Sequence, residues 1–380
     1  MRIVHIIPSL IGGGAERIVL DICNELADRA DVDVMLVLFR PEIEYIYKAP
    51  KLLLKTIPAT VRLSILRKPV CDVSALQLEI EKFKPDVIHS HLFEAELVSR
   101  SITYQSAVWF SHGHDNMVQL ELPGWDMFFN KQRFTNWWER RYLLNRYRVN
   151  GGSWFIAISR DVQTFFKRVL PDNLAAITLL PNAIKVNRFK NPGVEKQRST
   201  TLRLVNVGSF VPKKNQVFLV EVMRLLQQDG IDAHLTFLGD GATRVMIQEQ
   251  AKELGVSERI TFAGKVADVE AHLWQSDMYV HAALYEPFGL VLVEAMAAGL
   301  PVIAVDGRGN RDIIKQDVNG YIEPADVVTF AARIKEVAAD NAKYQRLVEQ
   351  GLLTAQEYDI KTYVDRLLQL YAKAVQAKKV

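Results

Sequence analysis

The sequence predicts an α/β protein made of two doubly wound, Rossmann-like domains, each a parallel sheet covered by helices on both faces. Short, near-continuous apolar strands alternate with helical segments along the chain, the pattern of parallel strands buried on both sides. At 380 residues the chain exceeds one ordinary core and suits two. One polar stretch, Arg188 to Thr201, breaks the rhythm with Pro and Gly and reads as a linker. The expected domains are therefore 1–190 and 202–358.

The elements follow in order. RIVHII is the first strand, and Gly12, Gly13 and Gly14 then open a helix at Ala15. Such a loop lets backbone N–H groups approach a phosphate closely; a plain tight turn is the other reading. A dinucleotide fingerprint needs a third glycine where Arg17 stands, which disfavours NAD. VDVMLVLF, LLLKTI, DVIHSH, AVWFSH, WFIAIS and AITLLP complete the strands of the first half. RLVNVGS, AHLTFLG, ITFAG, MYVHAAL and PVIAV form those of the second. Beyond Ala325 only helix is expected, ending in the amphipathic DIKTYVDRLLQLYAKAV. Doubly wound sheets gather their functional loops at the C-terminal ends of the strands.

Hydrophobic content of 49% and charged content of 24% fit a soluble globular protein. No apolar run reaches membrane-spanning length, and MRIVHIIPSL reaches a proline too soon for a signal sequence, so a cytoplasmic protein is expected. Cys23 and Cys71 make no metal or redox spacing. A net charge of +3 is too small to argue for nucleic acid. Positive charge peaks in residues 125–149, where Lys131, Arg133, Arg140, Arg141, Arg146 and Arg148 interleave with Trp125, Phe128, Phe129, Phe134, Trp137, Trp138 and Tyr142. That is the pattern of an interfacial helix on an anionic membrane, and equally of a core-packed helix whose arginines face water.

The stretch EPFGLVLVEAMAAGLPVIAV carries the most chemistry. It reads as a turn through Pro287 and Gly289, a helix of about eleven residues, and a strand. The helix start offers backbone N–H groups to an anion. Glu286 stands just before it and Glu294 inside it, in a helix apolar nearly all round. A buried carboxylate needs a partner or a ligand. Beside an anion hole it is wasteful unless it holds hydroxyls, as of a sugar or ribose. Isolated glutamates are otherwise usually solvated.

From Glu286 to Gly320 the chain resembles the retaining glycosyltransferases of family 4, through Glu, seven residues and Glu, then AMAAGLPVIAVDGRG and DVNGYI. IPSLIGGGAERIVL, DVIHSHL, LLPNAI, VGSFVPKKNQ and FLGDG extend the resemblance over most of the chain. It implies the two-domain GT-B fold, with a last helix, about 360–376, crossing back onto the first domain. It implies transfer of a sugar from a nucleotide-diphosphate sugar, UDP-sugar favoured, to a hydroxyl of a glycan or lipid-linked acceptor in surface polysaccharide synthesis. Neither metal nor other cofactor is then needed.

The resemblance also assigns residues. Gly13 and Gly14 fall near the donor diphosphate, and Lys214 with Phe288, Gly289 and Leu290 at the helix start binds it. Glu294 holds the ribose, Glu286 and His112 the donor sugar, and Lys265 and Val266 the base. Ser209 stands where the family usually has arginine, leaving Lys213, Arg308 or Arg311 to compensate. Asn182 in LLPNAI matches a motif that here continues with Ala183 and Lys185 instead of glycine and aspartate. A nucleotide-sugar 2-epimerase of the same fold, or a silent partner subunit, are the alternatives.

The histidines offer a rival. His89 and His91, and His112 and His114, are spaced two apart on strands and so share faces, where four imidazoles could hold a metal. No carboxylate accompanies them, and no metal is expected. His5, His234, His272 and His281 are read as structural.

Overall fold

The computed structural model describes residues 1–44, 51–63, 68–194 and 200–379. The chain divides into two compact units: unit 1 is Met1–Asn182 with Ile360–Val380, and unit 2 is Ala183–Asp359. Of the polar stretch 188–201, residues 195–199 lie outside the described residues.

Unit 1 contains β1 (Arg2–Ile7), β2 (Asp33–Leu38), β3 (Leu53–Thr56), β4 (Thr60–Arg62), β5 (Val70–Asp72), β6 (Val87–His91), β7 (Val108–Gly113), β8 (Ser153–Ala157) and β9 (Ala175–Leu179). Its helices are α1 (Gly14–Ala27), α2 (Ser74–Phe83), α3 (Phe93–Ser99), α4 (Lys131–Val149) and α5 (Arg160–Val169). Seven strands form one parallel sheet in the order β3-β2-β1-β6-β7-β8-β9. Every residue of β6 and β7 is buried, as their apolar runs require. The strand order turns back between β1 and β6, the switch point of a doubly wound sheet. The small antiparallel β4–β5 pair was not expected, because three residues per strand carry no readable periodicity.

A buried ion pair anchors this unit. Arg100 donates to Glu96, Ser111 and Ser153, and its guanidinium lies 4.7 Å and 5.0 Å from the ring centroids of Trp109 and Tyr147. Tyr147 belongs to α4, so the basic helix reaches the core. Arg146 donates to the carbonyls of Arg100 and Ile102, and Arg140 to those of Leu120 and Val169. Two of the six basic residues of 125–149 are thus structural anchors. Lys131, Arg133, Arg141 and Arg148 are exposed, and Trp125 and Phe129 are 89% and 94% exposed.

Unit 2 contains β10 (Leu202–Val207), β11 (Ala233–Leu238), β12 (Ile260–Gly264), β13 (Met278–His281), β14 (Val302–Val305) and β15 (Tyr321–Glu323). They form a parallel sheet in the order β12-β11-β10-β13-β14-β15, with its switch point between β10 and β13. Its helices are α6 (Val186–Phe189), α7 (Gln216–Gln228), α8 (Arg244–Glu253), α9 (Val269–Trp274), α10 (Leu290–Ala297), α11 (Val327–Ala339) and α12 (Asn341–Glu357). Strand β15 follows DVNG and was missed, again for its three residues. Helix α10 is eight residues rather than about eleven, because the chain leaves it at Ala298 and Gly299 takes φ +77°.

The chain crosses between units at Asn182–Ala183, earlier than the expected residue 190. The reason is local: α6 buries Val186 and Phe189 within unit 2 and packs on α10, while Ile184 bridges Asp359. Helix α13 (Ile360–Lys379) belongs to unit 1, where it packs on α1 and lays Tyr371 over the sheet. Both cysteines are free, Cys23 buried and Cys71 exposed. Among the described residues no helix is long and apolar enough to cross a membrane.

Candidate functional site

The C-terminal ends of β10 and β13, the two strands flanking the switch point of unit 2, deliver Lys214 and Glu286 to one point. Lys214 ends a short helical turn after β10, and its Nζ donates to Glu286 Oε2. His281, the last residue of β13, meets the same oxygen from Nε2 at 3.1 Å. Burial works to raise the Glu286 pKa, but the Lys214 charge and the His281 hydrogen bond outweigh it and bring it down to about 2. Burial lowers the His281 pKa against the pull of Glu286. A neutral His281 facing an ionised carboxylate must carry its proton on Nε2, leaving Nδ1 as acceptor toward Tyr279 Oη at 3.4 Å. Burial raises the Tyr279 pKa, with the charges of Glu286 and Glu294 adding to the rise.

Glu286 is held by a tight backbone clasp. Its N–H donates to the Gly307 carbonyl at 2.8 Å, and its own carbonyl accepts from Gly309 N–H at 3.0 Å. Between these glycines Arg308 takes φ +69° and ψ −71°, while Gly309 N–H also reaches Gly307 O at 3.0 Å, which makes a γ-turn strained for a residue with a side chain. A Cβ at Gly309 would stand 2.2 Å from the Pro287 carbonyl, so no larger residue fits there. The Arg308 side chain is exposed, whereas Arg311 chelates Asp306 and Lys213 sits over the Tyr285 ring.

Helix α10 is preceded by its N-cap Gly289, in the left-handed region at φ +102° with no side-chain cap; Leu292 N–H turns back to the Gly289 carbonyl at 2.9 Å, so the N–H groups of Leu290 and Val291 are those aimed at a ligand or water. Glu294 is 5% exposed, one turn into this helix. Phe288 is buried against Tyr358, Ser209 is exposed, and Lys265 and Val266 follow the edge strand β12. The second unit therefore presents Ser209, Lys214, Lys265, Val266, Glu286 and the start of α10 along one end of one sheet.

Two sequence models divide the chain between them: Glycosyltransferase Family 4 matches residues 12–188 and Glycosyl transferases group 1 matches residues 187–354. The chain belongs to the family 4, group 1 glycosyltransferases. Among curated relatives, the lipopolysaccharide core biosynthesis glycosyltransferase LpsE of Rhizobium meliloti is 32% identical over 44% of this chain and 49% of its own length. The Vi polysaccharide biosynthesis protein VipC/TviE of Salmonella typhi is 27% identical over 53% of this chain and 32% of its own. The chain thus matches less than half the length of these relatives. The structure of Anabaena HepE in complex with UDP superposes with a TM-score of 0.78 at 20% identity, covering 98% of this chain and all of that one. Sucrose-phosphate synthase from Thermosynechococcus elongatus gives 0.76 at 20% identity over 99% of each chain. These establish the GT-B fold.

The remaining residues singled out lie in unit 1. Gly13 precedes α1 as its uncapped N-cap and Gly14 is its first residue. Gly12 N–H is taken by Glu44 Oε2 at 3.0 Å. Glu16 stands in the first turn, its pKa raised by burial against a backbone hydrogen bond. The Gly12 amide of the loop thus already faces a carboxylate. His112 is fully buried, with the Asn182 side chain beside it. It belongs to a set of five imidazoles. Register places His5 beside His89 on β1 and β6, and His91 beside His112 on β6 and β7, all on one face with His114.

Two residues were missed by sequence reasoning. His281 read as structural because nothing in an apolar strand shows that the following turn folds Glu286 back onto it. His5 read alone because only the register of β1 on β6 brings it to the other four.

Proposed function

We propose that this chain transfers a sugar from a nucleoside-diphosphate sugar, a UDP-sugar in the first instance, to a hydroxyl of a glycan or lipid-linked saccharide during surface polysaccharide assembly. The observation that carries the reading is the Lys214–Glu286–His281 constellation beside the uncapped start of α10. Lys214 and the α10 amides offer positive potential to a diphosphate, and Glu294 offers a hydroxyl acceptor to the ribose. The HepE crystals with UDP and with UDP-glucose support the same ligand class for this fold.

The electrostatics favour one mechanism. A carboxylate held near pKa 2 is a poor base at neutral pH, so Glu286 orients a sugar hydroxyl rather than taking the acceptor proton. The leaving diphosphate then accepts that proton as the glycosidic bond breaks and the new one forms on the same face, with retention. His112 lines the donor sugar, and no metal takes part in the transfer. When donor arrives, Lys214 is shared between Glu286 and the phosphates, and the exposed Arg308 supplies the second cation that Ser209 lacks. Acceptors on a membrane suit the exposed Trp125 and Phe129 with neighbouring Lys131 and Arg133, which would dock on anionic lipid.

Thermal-shift screening against UDP-, GDP- and ADP-sugars, followed by NMR assignment of the product anomer, tests the reading. Stabilisation by one nucleotide class and an anomer matching the donor support it. Conversion of UDP-N-acetylglucosamine without acceptor indicates an epimerase, and binding without turnover a silent subunit. Failure to sediment with anionic liposomes at low salt removes the membrane contact alone.

A further inference from the structure

A cavity of about 500 Å³ opens in unit 1 at the end of the sheet away from His112, where β7 and β8 begin and α4 and α13 end. That is the size of a small-molecule pocket, about 300–1,000 Å³. Exposed Arg148, Gly151 and Lys378 stand among its lining residues, so it is reached from solvent. Trp109 and Asn150 line it too, yet they are only 2% and 6% exposed. The Trp109 indole N–H and both polar atoms of the Asn150 amide are buried with no hydrogen-bond partner. Each orphaned polar atom carries a desolvation cost, so three at one cavity call for a ligand rather than for chance.

We propose that this cavity binds a sugar unit carrying a negative charge, a carboxylate or a phosphate, and uses none of the residues assigned to the donor. Asn150 sets a donor, Nδ2, beside an acceptor, Oδ1, a pair that two neighbouring hydroxyls of a pyranose complement. The Trp109 N–H supplies a further donor to a sugar oxygen. Trp154, half-buried on β8, offers an apolar ring to the carbon face of the sugar. Arg148 and Lys378 meet the charge.

The charge balance of the lining fits an anion. Among the described residues no carboxylate lines the cavity. Lys378 Nζ donates to the Ala107 carbonyl at 2.6 Å, which fixes the ammonium at the cavity and leaves two of its N–H groups for a ligand. Burial lowers the Lys378 pKa, a penalty that an anion beside it would relieve. The other large cavity of unit 1 is the contrast: Arg40 there is bound at both terminal nitrogens by Glu94, and Asp72 and Glu139 add further carboxylates. A basic residue in the last turn of a helix also complements the helix dipole, which accounts for Arg148 and Lys378 singly. It does not account for the amide of Asn150 or the indole of Trp109, which are neutral and unpartnered.

Calorimetric titration of the full chain tests this without nucleotide sugar, so it stands apart from the donor reading. The probes are an oligogalacturonate, glucose 6-phosphate, glucose and inorganic phosphate. The expected result is a charged sugar bound at one per chain, about tenfold or more tighter than glucose or phosphate. Oligogalacturonate as that ligand makes the source an acidic glycan, and glucose 6-phosphate makes it a free metabolite. Arg148→Gln and Asn150→Ala should each weaken binding about tenfold, while Lys214→Ala leaves it unchanged. Wild-type crystals soaked with the bound sugar should show it against Trp109 and Asn150, and they decide the matter should a variant fail to fold. No charged sugar bound, phosphate bound as tightly, or binding lost in Lys214→Ala but kept in Arg148→Gln overturns the assignment.

Discussion

In unit 1 five imidazoles are buried side by side, and neutrality is the only way they are accommodated; in unit 2 one imidazole, His281, is buried against an ionised carboxylate that Lys214 also holds. Both groups sit where β-strands end at a switch point, with the same helices-over-sheet surroundings. Burial pushes both kinds of group toward the neutral form, and a neighbouring opposite charge is what reverses it. Glu286 keeps its charge at 8% exposure because a cation lies on it, whereas His89 and His91 lose theirs chiefly to burial, with the neighbouring imidazoles adding to it. The unit 2 site is thereby charged and ready for an anion, and the unit 1 imidazole cluster is neutral and rich in lone pairs.

The largest effect is expected where the charge balance is broken. Lys214→Ala should lower transfer by about 10²–10³-fold, the scale for loss of one preorganised electrostatic contact. It should also destabilise unit 2, by about 3–5 kcal/mol if Glu286 stays ionised without its cation. Steady-state kinetics and urea unfolding read the two separately. Unchanged turnover with reduced stability would make the constellation a structural ion pair.

Acid separates the units next. Histidines neutral in the fold but free to protonate when unfolded make the unfolded chain the better proton acceptor. Their contribution is fully present above the ordinary value of 6.5 and is lost as pH falls toward about 3, on the values for His5 and His114. Each such histidine adds a slope of about 1.4 kcal/mol per pH unit. Glu286 runs over a lower window: its depressed pKa stabilises above 4.5, and that is lost as pH falls toward about 2. Unit 1 should therefore loosen first, beginning below pH 6.5. Five of the six tryptophans lie in unit 1, so tryptophan emission followed against pH reports it. Emission steady down to pH 4.5 would contradict the buried, neutral cluster.

A smaller difference is expected between the two glutamates. Glu294→Ala should raise donor KM about tenfold with little change in kcat, while Glu286→Ala should chiefly lower kcat, because a contact to ribose is the same in ground and transition states. Equal effects on both constants in both variants would remove the division of roles.

How much of this could be read beforehand varies by residue. The fold was legible because buried parallel strands leave continuous apolar runs, and Glu294 stood out because it interrupts an apolar helix. The short strands β4, β5 and β15 were not, since three residues give no period. The pairings of His281 with Glu286 and of His5 with His91 depend on a turn and on strand register, neither of which leaves a mark in local sequence. The clasp at Arg308 was equally hidden: DGRG reads as a loose turn, yet Gly307 and Gly309 are there because the backbone of residues 286–287 lies against them.

That clasp gives the finest test of the contrast, since it is where unit 2 stores strain beside its charged site. Replacing Arg308 by glycine releases a positive-φ strain of about 1–3 kcal/mol. Against it stands the extra freedom of glycine in the unfolded chain, about 0.5–1 kcal/mol. The sign is therefore a gain, of about 1 kcal/mol in stability by urea unfolding. Transfer should move the other way, falling several-fold as the guanidinium leaves the diphosphate side. Arg308→Lys holds the charge and the strain, and should lie close to wild type in both measurements. A stabilised glycine variant with full activity would reduce the clasp to packing, and leave Lys214 as the cation that matters.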